Sequence, residues 1–352
     1  MSFQDGWAAL HLDMPARVPR TEYSAEMHWE LLAAVTGLPV TLDSSAADKH
    51  AAQRAFFSAW QYDFFWSTLI GGADLGPYKT DMGHAEYMAG GVDRRAVGAH
   101  PFTELEQVFA FDPTQAIGVT PLPEITRRFE EHYRANCAAQ PDGVNMTGIY
   151  TTFMSGFIDL YGWDMLLLAA GTDPRRFGEM TGRYAAWMQH YFEALAASDV
   201  PVVMIHDDIV WSSGPFIHPD WYRQFVFPAY QRYFAPLRDA GKKIIFTSDG
   251  DYTLFIDDIA ACGVHGFVME PMTDMAQIAE RYGATHVFIG NADTRVLLTG
   301  DRAAIKAEVE RCLRIGKRCP GYFMAVGNHI PPNTPVKSAL YYNEVYEQLS
   351  RR

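Results

Sequence analysis

The chain has 352 residues, 48% hydrophobic and 20% charged, which is enough for a large buried core in one big domain or two smaller ones. A formal net charge of -13 disfavours a nucleic-acid partner or an anionic membrane surface. No apolar run approaches the ~20 residues of a membrane span.

Cys137, Cys262, Cys312 and Cys319 lack paired metal spacing and read as reduced thiols. The opening MSFQDGWAALHLDMP has no basic region followed by an apolar one, so no signal peptide is expected and the expected location is cytoplasmic.

In chain order, residues 1–60 read as an N-terminal helical cap, with helical spacing over 25–36 and 46–59. Ahead of both, RVPRTE (residues 17–22) is extended, because a residue before proline avoids the α region. Its charges suit either a solvated loop or a cover for the site. YDFFWSTLI (62–70) is the first strand candidate. It leads into a long glycine-rich stretch containing His84, and long irregular stretches are often functional. Helical spacing follows over 102–111 and 122–139. VNMTGIYTTF (144–153) reads as a strand carrying Tyr150. An aromatic-rich helix comes next, then a long helix over 172–197 that Asp173-Pro174 starts.

From residue 202 a pattern of strand, polar loop and helix repeats through VVMIHDDIVWSSG, KKIIFTSDGDYT, VHGFVMEP, THVFIGNAD and YFMAVGNHI. That is the pattern of a parallel βα architecture. Candidate strands near residues 62, 144, 202, 243, 264, 285 and 322 make seven. An eighth is expected in the irregular 71–120 region, near Tyr87 or residues 115–119. The expected fold class is α/β: a distorted (β/α)8 TIM barrel over residues 61–352 with the helical cap, one domain overall.

Functional groups of such sheets collect at the C-terminal strand ends. Here those ends offer His206, Asp207 and Asp208, then Ser248, Asp249 and Asp251, then Glu270, Asn291, Asp293, Asn328 and His329. Strand alternation sends Asp207 one way and its neighbours the other. Asp249 is a pocket acid, a metal ligand or a helix cap, and Asp251 is the better cap. Glu270 ends an apolar strand, where an acid needs a partner. The candidate catalytic residues are Asp249, Glu270, His329, His206 and Asp207. The candidate substrate-binding residues are Glu22, His84, Tyr150, Asn328 and Asn291. Asp249, Glu270 and His329 also have the ligand types of a three-residue zinc site with an open position. Bland readings compete: a surface histidine for His84, a turn for Asn291, and a structural salt bridge in the His206 run.

RVPRTE, TSDGD, GNADTRVLLTGD and GNHIPPNTP, in this order along nearly the whole chain, resemble the uroporphyrinogen decarboxylase superfamily. The resemblance implies a distorted (β/α)8 barrel with its pocket at the C-terminal strand ends. Its decarboxylases carry an arginine-rich stretch of the type MRQAGR, where this chain has RVPRTEYSAEMHWE. Its thiol methyltransferases hold zinc with His-x-Cys and a later Cys, where this chain has Thr247, Asp249 and Asn328. The remaining branch resembles methyltransferase I of O-demethylases, which moves a methyl group to Co(I) of a corrinoid protein. The resemblance thus implies a methyltransferase taking a methyl group from a small donor, a methoxylated aromatic. The cobalamin rides on a separate corrinoid protein, because the chain has no DxHxxG module. Departure of an aryloxide needs a proton or charge stabilisation, which the strand-end acids or a zinc ion would supply. A homodimer is compatible with this. A thiol-directed methyltransferase, a decarboxylase of a simpler acid, and a binding protein that kept the pocket remain the alternatives.

Overall fold

The structure, a computed structural model, describes residues 3–80 and 100–352; His84 and Tyr87 lie outside the described residues. Its fold is mixed α/β around a parallel sheet. The strands are β1 (Phe64–Phe65), β2 (Val144–Asn145), β3 (Thr147–Ile149), β4 (Val202–His206), β5 (Val210–Trp211), β6 (Gly214–Pro215), β7 (Lys243–Ser248), β8 (Gly266–Met269), β9 (Val287–Ile289) and β10 (Tyr322–Phe323). The six-stranded sheet runs β10-β9-β8-β7-β4-β3, every pair parallel, with His206 opposite Thr247 and Ser248 opposite Met269. β5 and β6 form a small antiparallel hairpin beyond the end of β4.

The sheet continues at both edges. β1 pairs parallel with β2, and only Met146 separates β2 from β3. At the other edge, Met324 N donates to Pro19 O at 2.8 Å and Thr21 N to Met324 O at 3.1 Å. Asp63 N, just before β1, donates to Arg20 O at 2.8 Å. Main-chain hydrogen bonding therefore passes from β10 through Arg20 back to the start of β1. The extended RVPRTE segment joins this sheet and is not a free loop. The eighth strand expected within 71–120 is not found among the described residues there; Pro113–Ala116 is helical.

Arg20 and Glu22 can sit inside a sheet because they satisfy each other. Their side chains are fully buried and paired at 3.0 Å. The Arg20 guanidinium also lies 4.3 Å from the Trp60 ring and 4.8 Å from the Tyr346 ring.

Strand alternation splits the core in two. Val202, Met204, Ile245, Val268, Val287, Ile289 and Phe323 form an inner cluster with Ala9 and Leu10 of the helix Phe3–Leu10. Val203, Ile205, Ile244, Phe246, Phe267, Phe288 and Tyr322 face the surrounding helices. The same parity, carried past the strand ends, puts His206, Asp208, Thr247, Asp249 and Glu270 on the inner side and Asp207 on the helix side.

Helix starts follow local capping. Ser45 caps Ala46–Ala59 by accepting from Asp48 N, and Asp173, Asp274 and Asp301 do the same for the helices they precede. The long aromatic helix Met154–Thr172 carries a break at Gly162, whose φ is 66°. Among the described residues no helix is long and apolar enough to cross a membrane.

Candidate functional site

A cavity of about 100 Å³ opens at the C-terminal ends of the strands, walled by Tyr23, Tyr150, His206, Asp249, Asn328 and His329. Each wall group has a traceable anchor. The His206 ring stacks on Tyr150, with centroids 3.8 Å apart and planes 10° apart. Its Nδ1 lies 3.0 Å from the Tyr150 carbonyl, which can only accept, so Nδ1 carries the proton. Nε2 then faces Asp208, 3.3 Å from Oδ1. Asp208 Oδ1 also accepts from Asp249 N at 3.0 Å, and Asp208 N donates to Ser155 Oγ.

Asp249 sits in the sharp turn after β7. Gly250 makes that turn possible: its φ is 83°, and a Cβ there would meet the Trp211 carbonyl oxygen at 2.5 Å. Burial pushes the Asp249 carboxyl well above the usual carboxylate range; the charges of Asp208 and Glu270 add to this, and a hydrogen bond from Asn328 opposes it. At the cavity wall Asp249 therefore keeps its proton to higher pH than an ordinary aspartate.

Glu270 has both oxygens engaged: Oε2 accepts from Gly250 N at 2.6 Å and Oε1 from Asn328 Nδ2 at 2.5 Å. It holds the turn that presents Asp249. His329 Nδ1 lies 2.6 Å from Ser24 Oγ, which ties the last strand end to the N-terminal segment.

Three sequence candidates have structural surroundings. Asp207 points to the helix side, where its carboxylate accepts from Phe153 N, Ser155 N and the Tyr230 hydroxyl, and burial pushes it up to about 6. Glu22 is spent on Arg20, Val326 N and the Tyr342 hydroxyl. Asn291 donates to the Glu270 and Thr273 carbonyls and accepts from Arg311, so it braces the loop after β8. Asp251 caps the next turn through Thr253 N, as its position predicts. Asp208, Tyr23 and Ser24 were missing from the candidate sets. Period-two alternation was the available signal for Asp208, which shares a side with His206.

Among the described residues, the group of three possible ligand atoms lying within 4.8 Å of one another is His206, Asp208 and Asp249. The structure does not bring Asp249, Glu270 and His329 into one ligand set, because Glu270 is held by amide donors and His329 by Ser24. One imidazole and two carboxylates suit zinc, and a carbonyl on the far ring nitrogen is the usual orienting partner of a ligating histidine. Among the described residues no lysine or arginine lines the cavity.

The model of the family described as uroporphyrinogen decarboxylase (URO-D) matches residues 136–348. The chain belongs to the uroporphyrinogen decarboxylase family. The match includes Tyr150, His206, Asp208, Asp249, Glu270, Asn328 and His329, and leaves Tyr23 and Ser24 outside it. The uroporphyrinogen decarboxylase of Thermus thermophilus is 28% identical over 197 residues, 52% of this chain and 56% of that protein. That of Carboxydothermus hydrogenoformans is 26% identical over 178 residues, 50% of this chain and 49% of that protein. The chain thus spans about half the length of the curated relatives it matches. A solved methyltransferase from Methanosarcina mazei is 18% identical, with a TM-score of 0.62 over 97% of this chain and 96% of that one. The fold of this uroporphyrinogen decarboxylase family member is therefore shared with a methyltransferase.

Proposed function

We propose that the chain is a methyltransferase that takes a methyl group from a small donor, a methoxylated aromatic. The acceptor is Co(I) of a separate corrinoid protein, whose cobalt supplies the nucleophile. In this reading the hydrogen-bonded ring of strands is a (β/α)8 barrel, and the partner docks over its C-terminal mouth.

The carrying observation is the composition of the cavity. It presents Asp249, a carboxyl that burial makes harder to ionise, beside His206 and His329, with no described cation on its wall. Such a site suits a neutral ether. The methyl carbon–oxygen bond breaks, the oxygen keeps the electron pair, and the Asp249 proton goes to that oxygen, so that a phenol departs and not a phenoxide. Tyr150, His206 and Asn328 fix the geometry, and positioning contributes much of the rate. If a divalent cation such as zinc is held by His206, Asp208 and Asp249, it supplies Lewis-acid polarisation of the same oxygen. That would take Asp249 as carboxylate, so the two assignments are exclusive and a metal determination separates them.

The family's name supports a second reading, decarboxylation. A porphyrinogen brings many carboxylates, and a cavity walled by Asp249 with no lysine or arginine among the described residues offers them little. The test is a side-by-side assay: methylcobalamin formed from cob(I)alamin and a methoxyphenol supports methyl transfer, and CO2 released from a carboxylated substrate without corrinoid supports decarboxylation.

A further inference from the structure

A second cavity, of about 200 Å³, adjoins the first and shares Tyr23 and His329 with it. Tyr62, Phe65 and Trp66, around the first strand, form its aromatic wall, and Glu26 contributes a carboxylate. Tyr23, which lines both spaces, stacks on Trp66 of the second with centroids 4.8 Å apart.

Three residues that line this second cavity each bury a polar atom without a hydrogen-bond partner among the described residues: the Tyr62 hydroxyl, the Tyr23 hydroxyl and the Trp66 indole N–H. Tyr62 is 2% exposed. A buried donor without a partner is costly, and a cluster of them on a cavity wall points to a ligand that supplies acceptors. Among the described residues no lysine or arginine lines this cavity either, and burial raises the Glu26 carboxyl above the usual carboxylate range.

Size divides the two spaces. A cavity of roughly 150 Å³ is enough for benzene. The side cavity exceeds that, and the central one, at about 100 Å³, is too small for a ring but has room for a methoxy group. We propose that the side cavity is the ring subsite of the methyl donor and selects an uncharged, oxygen-bearing ring, a phenol or phenol ether, over a benzoate. This rests on the methyl-transfer reading above. The ring packs among Tyr62, Phe65 and Trp66. Its oxygen accepts from the Tyr62 hydroxyl, and a free phenol O–H donates to Glu26. The methoxy carbon reaches past Tyr23 and His329 into the central cavity. A ring carboxylate would enter beside Glu26 with no cation to meet it, and an unpaired buried charge is strongly disfavoured.

The test is calorimetric binding of 2-methoxyphenol and of 4-hydroxy-3-methoxybenzoate, without corrinoid, so that no turnover occurs. The wild type binds the methoxyphenol at least about tenfold more tightly. Glu26→Gln narrows that ratio, and Tyr62→Phe weakens the methoxyphenol by roughly five- to tenfold. Equal or tighter binding of the benzoate by the wild type overturns the proposal, as does an unchanged ratio in Glu26→Gln. So does displacement of the methoxyphenol by tetramethylammonium, which would mark a cation cage. Melting temperatures confirm that the variants are folded. Selective binding without methyl transfer to added cob(I)alamin sinks the methyl-transfer reading and leaves the subsite. Turnover that prefers the benzoate does the reverse.

Discussion

The imidazole of His206 lies flat against Tyr150 while its Nδ1 donates to the Tyr150 carbonyl, so one residue fixes both the plane and the tautomer of the ring. The consequence is that Nε2 faces Asp208, 3.3 Å from its Oδ1, where an imidazole and a carboxylate could share a metal ion. If His206, Asp208 and Asp249 form a metal site, protein reconstituted with zinc holds the ion, Asp208→Asn loses it, and Tyr150→Leu binds it about tenfold more weakly because the stack is gone. Chelator competition measures this. Wild-type protein that takes up no zinc would rule out the trio as a metal site and leave Asp249 as the acid.

Asp207 has a different job from its neighbours. It accepts from two backbone N–H groups and a tyrosine hydroxyl in the helix layer. Asp207→Ala leaves those donors unsatisfied and is expected to destabilise the fold by about 3–5 kcal/mol. Urea unfolding reads that loss. Activity per folded molecule should change far less than in Asp249→Asn. A stable but inactive Asp207→Ala would return this residue to the catalytic set.

Much of this was legible in the sequence. The helices Ala46–Ala59 and Leu122–Ala139 fall where helical spacing puts them. The strands β4, β7, β8 and β9 follow from β-branched runs, and the strand ends do carry the cavity wall. RVPRTE resisted because its membership in the sheet depends on partners distant in sequence. An arginine, a proline and a glutamate show no strand alternation, and only the Arg20–Glu22 pair against Trp60 and Tyr346 makes them fit indoors. Asp208 was readable from parity with His206. The engagement of Glu270 by Gly250 and Asn328 was not, since it joins three separate strand ends.

The Arg20–Glu22 pair gives a prediction about stability. Removing one partner of a buried ion pair leaves an uncompensated charge and costs about 3–5 kcal/mol. Glu22→Ala is expected to fall in that range by chemical denaturation, and Arg20→Met combined with Glu22→Leu to recover most of it. A single-variant loss under about 1 kcal/mol would mean that Arg20 finds another anion or water.

Asp159 makes stability fall as pH rises. Burial outweighs the opposing Lys79 and pushes its carboxyl up to about 6, against 3.8 for an ordinary aspartate. The folded chain thus keeps this proton to higher pH than the unfolded chain does. Its penalty is absent below the unfolded value, grows through the window between the two values, and is constant above the folded one. Asp159→Asn is expected to stabilise the protein by up to about 3 kcal/mol at pH 7, with the gain shrinking toward zero near pH 4. A gain independent of pH would show that the carboxyl titrates normally.

The most direct measurement follows the methyl group itself. Protein, cob(I)alamin and 2-methoxyphenol labelled with carbon-13 in the methoxy group are mixed, and the label is traced by NMR. Methyl transfer places the label in methylcobalamin with catechol released in equal amount, at a rate roughly 10²–10⁴-fold lower in Asp249→Asn. Label that stays in the methoxyphenol with every donor tried, together with CO2 release from a carboxylated substrate in the absence of corrinoid, would contradict methyl transfer and make the chain a decarboxylase.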